Sequence, residues 1–301
     1  MSYYSSGSGS SKNMKFKQLN LVHLTIILCL SVFAFSTRST ASQKDGLLKV
    51  YFFDIGQGDS IFIEAPNGNQ VLVDGGPDGK VLEKLGEVMP FYDKDIDMVI
   101  LSHPHTDHFV GLIDVLARYE VKNIIEAKEE NNSPQFKLWQ QAVEYEGANN
   151  IEAIAGYTID LGNDVFLKIL HPFVSVAGTK PSNPHDDVVV AMLQYGSTRI
   201  LLTGDMEAKV EDKLILSGSD IDADVLKVGH HGSNTSSKDN FIKAVTPQLA
   251  VIQVGAKNKY GLPSPEVLKR LEGFGIKYYR NDLDGDIKLT SDGQSFQITK
   301  N

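Results

Sequence analysis

His103-Pro104-His105-Thr106-Asp107-His108 places three imidazoles and one carboxylate within six residues. The apolar stretch Met98-Val99-Ile100-Leu101 leads into it, and Gly111 follows. Imidazole nitrogen and carboxylate oxygen are the ligand types that hold zinc and similar divalent cations. If the segment continues a strand end, alternation sends His103, His105 and Asp107 to one side, and a bend turns His108 to the same pocket. Ligands this close can serve two metals. The competing reading is a solvated polar loop, but soluble chains rarely concentrate ligand side chains in this way.

Further ligand types stand at the ends of other apolar runs. His171 ends Lys168-Ile169-Leu170, Asp205 ends Ile200-Leu201-Leu202-Thr203-Gly204, and His230-His231 ends Val225-Leu226-Lys227-Val228-Gly229. Singly, a histidine after a strand is ordinarily a cap or a surface residue, and Thr203-Gly204-Asp205 can be a simple turn. Their shared position beside the hexapeptide argues for one common mouth, built on loops that a rigid scaffold holds.

The pattern around these points alternates short strands and helices. Strands are expected at Leu48 to Phe52, Ser60 to Ile63, Gln70 to Val73, Met98 to Leu101, Val165 to Leu170, Val188 to Leu193, Arg199 to Leu202, Asp224 to Val228 and Leu249 to Val254, with a final hairpin of Ile287 to Leu289 and Phe296 to Ile298. Helices are expected at Val81 to Val88, Val110 to Tyr119, Phe136 to Glu146, Ala208 to Leu216 and Pro265 to Phe274. Trp139 reads as a packing residue. Two strand-rich halves with helices outside predict an α/β fold, two sheets packed face to face in a four-layer αββα sandwich. An apolar content of 42% with 22% charged residues is enough to bury such a core.

The N-terminus reads differently. Residues 1–13 are rich in Ser, Gly and Tyr and look like a tag or flexible leader. Residues 14–41 read as a signal peptide: Met14-Lys15-Phe16-Lys17 is a basic start, Leu21 to Phe35 an apolar run short for a membrane span, and Ser39-Thr40-Ala41 a small-x-small cleavage site. An uncleaved N-terminal anchor is the alternative. Either places the single globular domain, residues 42–301, outside the cytoplasm, secreted, periplasmic or anchored. Cys29 is the only cysteine, and Ile26-Ile27-Leu28 before it lacks the small residue of a lipoprotein signal. A mature chain without cysteine needs no disulfide. Lys12, Lys15, Lys17 and Arg38 would leave with the leader, so 25 basic face 38 acidic residues, a net charge of −13. A duplex-binding protein normally shows a basic face, which this chain could build only locally.

The motifs resemble the metallo-β-lactamase superfamily, and most of all the metallo-hydrolase domain of competence-type, ComEC-like DNA-uptake proteins. The resemblance is carried by Phe53-Asp54-Ile55-Gly56-Gln57-Gly58-Asp59-Ser60, Leu72-Val73-Asp74-Gly75-Gly76, the hexapeptide, Leu201-Leu202-Thr203-Gly204-Asp205, and Asp224 to Ser233 with its His230-His231-Gly232-Ser233. It implies two divalent metal ions, zinc or manganese. His103, His105 and His171 would hold one. Asp107, His108 and one of His230 and His231 would hold the other, with Asp205 bridging. His230 is favoured because it follows Gly229, and His231 would then face the substrate as a catalytic residue beside Asp107 and Asp205. Asp74 would orient a ligand or cap a turn. Leu262 stands where competence-type domains commonly carry a histidine after Tyr-Gly, which would remove one contact to the substrate.

The implied chemistry is hydrolysis by a hydroxide shared between two cations. The expected enzyme is a secreted dinuclear-metal hydrolase of phosphoric esters, a phosphodiesterase or nuclease type, whose partner is a phosphodiester or another ester, nucleic acid among them. The channel that accompanies such domains has no counterpart here, so a stand-alone enzyme is expected. Ser233, Asn234, Thr235 and Ser236 could donate to phosphate oxygens, or form an ordinary loop. A β-lactam or lactone hydrolase is the alternative within enzymes, and a non-catalytic metal-stabilised binding module the alternative outside them.

Overall fold

A computed structural model describes residues 46–300. The expected leader and signal segments, with Cys29 and the cleavage site, lie outside the described residues. Among the described residues no helix is long and apolar enough to cross a membrane.

One sheet holds eight strands: β1 (Leu48–Phe52), β2 (Ile61–Glu64), β3 (Gln70–Val73), β4 (Asp95–Ile100), β5 (Glu120–Glu126), β6 (Asn149–Glu152), β14 (Ile287–Ser291) and β15 (Phe296–Lys300). Their order is β15-β14-β1-β2-β3-β4-β5-β6. The other holds β7 (Thr158–Gly162), β8 (Val165–His171), β9 (Val190–Tyr195), β10 (Thr198–Leu202), β11 (Val225–Lys227), β12 (Leu249–Ile252) and β13 (Lys277–Arg280), in the order β13-β12-β11-β10-β9-β8-β7. Among the described residues, seven α-helices run between strands: α1 (Lys80–Val88), α2 (Thr106–Leu116), α3 (Pro134–Glu146), α4 (Ala208–Leu216), α5 (Asp239–Val245), α6 (Pro265–Gly273) and the single turn α7 (Asn281–Asp284).

The layers follow from side-chain alternation. In β1, Leu48, Val50 and Phe52 are buried while Lys49 and Tyr51 are half-exposed. The buried set joins Val71, Ile100, Leu167, Leu193, Ile200, Val225 and Val251 in a core between the two sheets. Each such residue contributes roughly 1.5–3 kcal/mol on burial. The other face of the first sheet packs Leu72, Val99 and Ile124 on Leu85, Phe109, Leu112 and Trp139 from α1, α2 and α3. The second sheet is covered by α4 and α5 on one flank and α6 on the other. This is the αββα sandwich expected. Trp139 is fully buried, and its Nε1 donates to Glu126 at 2.9 Å. Helix α3 has the end signals its sequence provides: Ser133 caps the Phe136 N–H, Pro134 opens the helix and Gly147 closes it in the left-handed region.

Strands β5, β6, β7 and β13 and helices α5 and α7 were not legible from the sequence. β6 reads Asn-Asn-Ile-Glu and β7 Thr-Ile-Asp-Leu-Gly. They are polar strands at or near sheet edges, held by pairing with neighbours rather than by their own burial.

Two arrays of parallel strands aim the site. β3, β4 and β5 run parallel in one sheet, and β10, β11 and β12 in the other. The loops at their carboxyl ends carry Asp74, the hexapeptide, Asp205, His230-His231 and Gln253. Gln253 Nε2 donates to Ser60 O at 2.9 Å, tying the sheets together beneath that mouth.

Candidate metal centre

The hexapeptide is not a strand continuation. β4 ends at Ile100, His105 is the N-cap of α2, and Asp107 and His108 lie in its first turn. The side chains therefore converge by a turn followed by helical spacing, not by period-2 alternation. Close backbone approaches hold the turn in place. A Cβ at Gly111 would stand 2.0 Å from the Gly75 carbonyl oxygen, and one at Gly58, where φ is +135°, would stand 2.1 Å from the Asp107 oxygen.

Among the described residues, four groups of ligand-type side chains bring their donor atoms within 4.8 Å of one another. The first is His103, His105, His185 and Asp205, and the second is Asp107, His108 and His231. Asp205 stands between these two: its Oδ2 lies 3.8 Å from His103 Nε2, 3.4 Å from His108 Nε2 and 3.4 Å from His231 Nε2. The other two are Asp59, His108 and Asp205, which shares His108 and Asp205 with the first two, and His185, Glu207 and His230 at their rim.

Two histidines sit elsewhere than expected. His171 belongs to none of these groups. A bulge precedes it in the β8–β9 ladder, its Nδ1 bonds the Val188 carbonyl at 2.8 Å, and its ring packs on Phe173. The place expected for it is taken by His185, from the turn Pro184–Asp186, with Nε2 3.3 Å from His105 Nδ1. In the adjacent pair, His231 and not His230 enters the second group. His231 is 2% exposed, with Nδ1 on the Gln253 carbonyl at 2.9 Å and Nε2 3.3 Å from Asp107 Oδ2. His230 stays at the mouth, Nε2 4.0 Å from Asp205. Both have left-handed backbone, φ 48° and 53°, a costly conformation for non-glycine residues that turns the two rings apart.

Outer partners set which nitrogen faces inward. Asp74 accepts from Ser102 N at 2.8 Å and Ser102 Oγ at 2.6 Å, and bonds His108 Nδ1 at 2.8 Å. Since Ser102 Oγ gives its single proton to Asp74, its 3.0 Å contact with His103 Nδ1 makes that nitrogen the donor. Asp74 thus orients two histidines, and its own φ of 58° belongs to that placement. Beneath lies a pair that the motif reading passed over. Lys227, fully buried, contacts Asp59 Oδ2 and donates to the Gly204 carbonyl at 2.9 Å. Asp59 Oδ1 lies 3.3 Å from His231 Nδ1. Both residues sit inside quoted motifs, but a buried lysine in an apolar strand has no local signature.

The electrostatics divide the histidines. Burial, reinforced by neighbouring histidines, holds His103 well below the usual range and brings His105 to about 4. Burial also opposes charge on His108 and His231, but there the Asp205 carboxylate, with Asp74 or Asp107 and Asp59, raises both well above it. Asp205 is driven far down by His231 and His108 despite its burial.

The donor set fits divalent cations. His103 Nε2, His108 Nε2, His231 Nε2 and Asp205 Oδ1 are all buried without a hydrogen-bond partner. Buried polar atoms seldom go unpaired, because each costs about 1–3 kcal/mol. Here all four stand in groups of metal-ligand composition and spacing.

Residues 53–255 match the model of the metallo-beta-lactamase superfamily. The chain belongs to the metallo-β-lactamase superfamily. It is 31% identical over 257 residues to "ComE operon protein 3" of Bacillus subtilis, a match covering 80% of this chain and 32% of that protein. It is 30% identical over 245 residues to "Competence protein ComA" of Neisseria gonorrhoeae, covering 80% of this chain and 32% of that protein. The chain thus spans about a third of the length of these competence-type relatives. Among solved structures, the metallo-beta-lactamase fold protein YhfI of Bacillus subtilis superposes with a TM-score of 0.54 at 13% identity, over 81% of this chain and 99% of that one. Superfamily membership and the paired His/Asp groups fit a dinuclear divalent-metal site.

Proposed function

We propose that this metallo-β-lactamase-fold chain is an extracytoplasmic, dinuclear-metal hydrolase of phosphodiester bonds. The observation that carries the reading is the carboxylate of Asp205, set between two groups of histidines, of which His103, His108 and His231 turn an unpartnered Nε2 inward. His103, His105, His185 and Asp205 would hold one cation, and Asp107, His108, His231 and Asp205 the other, zinc or manganese. Bound cations supply Lewis acidity and an acidified water.

The chain's own groups supply orientation. Asp107, with its side chain 29% exposed, is the open carboxylate of the centre and accepts a hydrogen bond from the attacking water. Ser233 and Thr235, whose hydroxyls lie 2.9 Å apart beside His230, would donate to the non-bridging phosphate oxygens. The likeness to competence proteins favours a polyphosphodiester. So does the neighbouring loop: Gly255 N bonds Gln57 Oε1 at 3.3 Å, and beyond it Lys257, Lys259 and Tyr260 are exposed, with Lys259 Nζ 5.3 Å over the Tyr260 ring. A base can stack on such a ring while the lysines meet phosphates. The overall negative charge opposes long duplexes, so short single strands are the expected polymeric substrate and their cleavage weakens as salt rises. Export rests on the basic start, short apolar run and small-x-small site of residues 14–41.

Zinc- or manganese-loaded protein assayed on bis-p-nitrophenyl phosphate beside nitrocefin tests the reading. Phosphodiester turnover that chelation abolishes is the expected result, with His103→Ala and Asp107→Ala each lowering kcat by orders of magnitude. Brisk nitrocefin hydrolysis with phosphodiesters untouched would replace it with the lactam reading.

A further inference from the structure

Two residues after Asp205 the same loop carries another carboxylate, Glu207. It is the N-cap residue of α4, yet its side chain makes no capping bond to the helix. An acceptor there ordinarily turns back to the free backbone N–H groups. Glu207 turns the other way. Its Oε1 lies 3.1 Å from His230 Nδ1 and 3.4 Å from His185 Nδ1, and its Oε2 accepts from Asn183 Nδ2 at 2.9 Å. One oxygen therefore stands between two imidazoles whose ring centroids are 4.3 Å apart.

An ionised carboxylate only accepts, so the His230 Nδ1 bonded to it carries the proton, and its 3.4 Å approach favours the same tautomer in His185. In a neutral ring the Nε2 lone pair is then free. For His185 that lone pair lies 3.3 Å from His105 Nδ1, inside the first group. For His230 it lies 4.0 Å from Asp205 Oδ2, at the open side. Thr235 Oγ1, 3.3 Å from His230 Nδ1, holds the same edge of that ring. His231, one residue on, has its Nδ1 on Gln253 instead and goes inward. The same three side chains admit another arrangement, a third cation on His185, Glu207 and His230. That would require His185 to ligate through both nitrogens and keep no proton, which makes it the costlier one.

We propose that Glu207 is a positioning residue: it fixes the Nδ1–H tautomer of His185, completing the first cation pocket, and holds His230 out of the pockets and toward the substrate. The proposal rests on the dinuclear reading above. Ring partners of this kind typically change metal affinity 10–100-fold when removed.

The test is a zinc titration of chelator-stripped protein by calorimetry, with 15N NMR of the imidazoles. Wild type should bind two equivalents. Glu207→Ala should keep the equivalent held by Asp107, His108 and His231 and bind the other about 10–100-fold more weakly. Glu207→Gln, which retains an acceptor oxygen, should recover most of that loss, whereas a mere packing role would not distinguish Ala from Gln in this way. In zinc-free wild type, His185 and His230 should both give Nδ1–H signatures, a measurement that stands even if the alanine variant fails to fold. Wild-type affinity for both ions in Glu207→Ala, Nε2–H signatures at the two rings, or a third zinc equivalent that vanishes with Glu207 would each overturn it. Fewer than two equivalents in wild type would sink the dinuclear reading, while the tautomers would still decide the role of Glu207.

Discussion

Replacing Lys227 by Met keeps most of a buried side chain's volume and removes its charge. Lys227 and Asp59 are 0% and 1% exposed and pair beneath the metal centre. Burial alone would push the Asp59 carboxyl up, but Lys227, then His231 and His108, bring it below its usual value. Without Lys227 the carboxylate keeps only the His231 and His108 imidazoles as partners in a dry site. Breaking one side of a buried pair costs about 3–5 kcal/mol. That is a large part of the roughly 5–15 kcal/mol that stabilises a domain. At about 2–4 °C per kcal/mol for a domain near this size, the melting temperature should fall by on the order of 10 °C. The measurement is urea unfolding in chelator, where a lower midpoint at unchanged m separates stability from metal binding. Adding Asp59→Asn should recover part of the loss, because the double variant buries no unpaired charge; a coupling of about 0.5–3 kcal/mol is expected. A Lys227→Met cost under about 1 kcal/mol, or strictly additive costs, would refute the argument.

His185→Ala should lose one metal by elemental analysis, while His171→Ala retains both; the reverse pattern would restore His171 to the centre. In the same assay His231→Ala should lose one metal and His230→Ala none, with His230→Ala raising KM for a phosphodiester instead. Burial, helped by the charges of Asp187 and Glu126 against its own backbone bond, raises Glu129 from 4.5 to about 8. The native state then holds a proton the unfolded chain releases, so wild-type stability falls as pH rises from about 4.5 to 8 and levels off above. Glu129→Gln should remove a stability loss on the order of a few kcal/mol across that window; an unchanged slope in chemical denaturation from pH 5 to 8 would show that Glu129 does not ionise there. Gly58→Ala should lower stability and metal affinity together, since its methyl meets the Asp107 carbonyl oxygen, and a fully metallated variant with wild-type melting would contradict this.

The sequence by itself determined the sandwich and the neighbourhood of the centre. Alternation in β1 and the apolar runs of β3, β4, β10, β11 and β12 are local signals, because a strand buried on one or both faces writes its burial into its own residues. The hexapeptide and Asp205 were legible for a similar reason: four ligand side chains within six residues converge whatever the backbone does, and an aspartate after Thr-Gly at a strand end has one mouth to face. Ring direction was not legible. His171 and His185 differ in which of them meets His105, and His230 and His231 in which turns inward. That choice is made by acceptors distant in the chain: the Val188 carbonyl on His171, the Gln253 carbonyl on His231, and Glu207 on His185 and His230. The buried pair of Asp59 and Lys227, 168 positions apart, is likewise invisible until the two sheets close, because only desolvation on both sides makes each charge depend on the other.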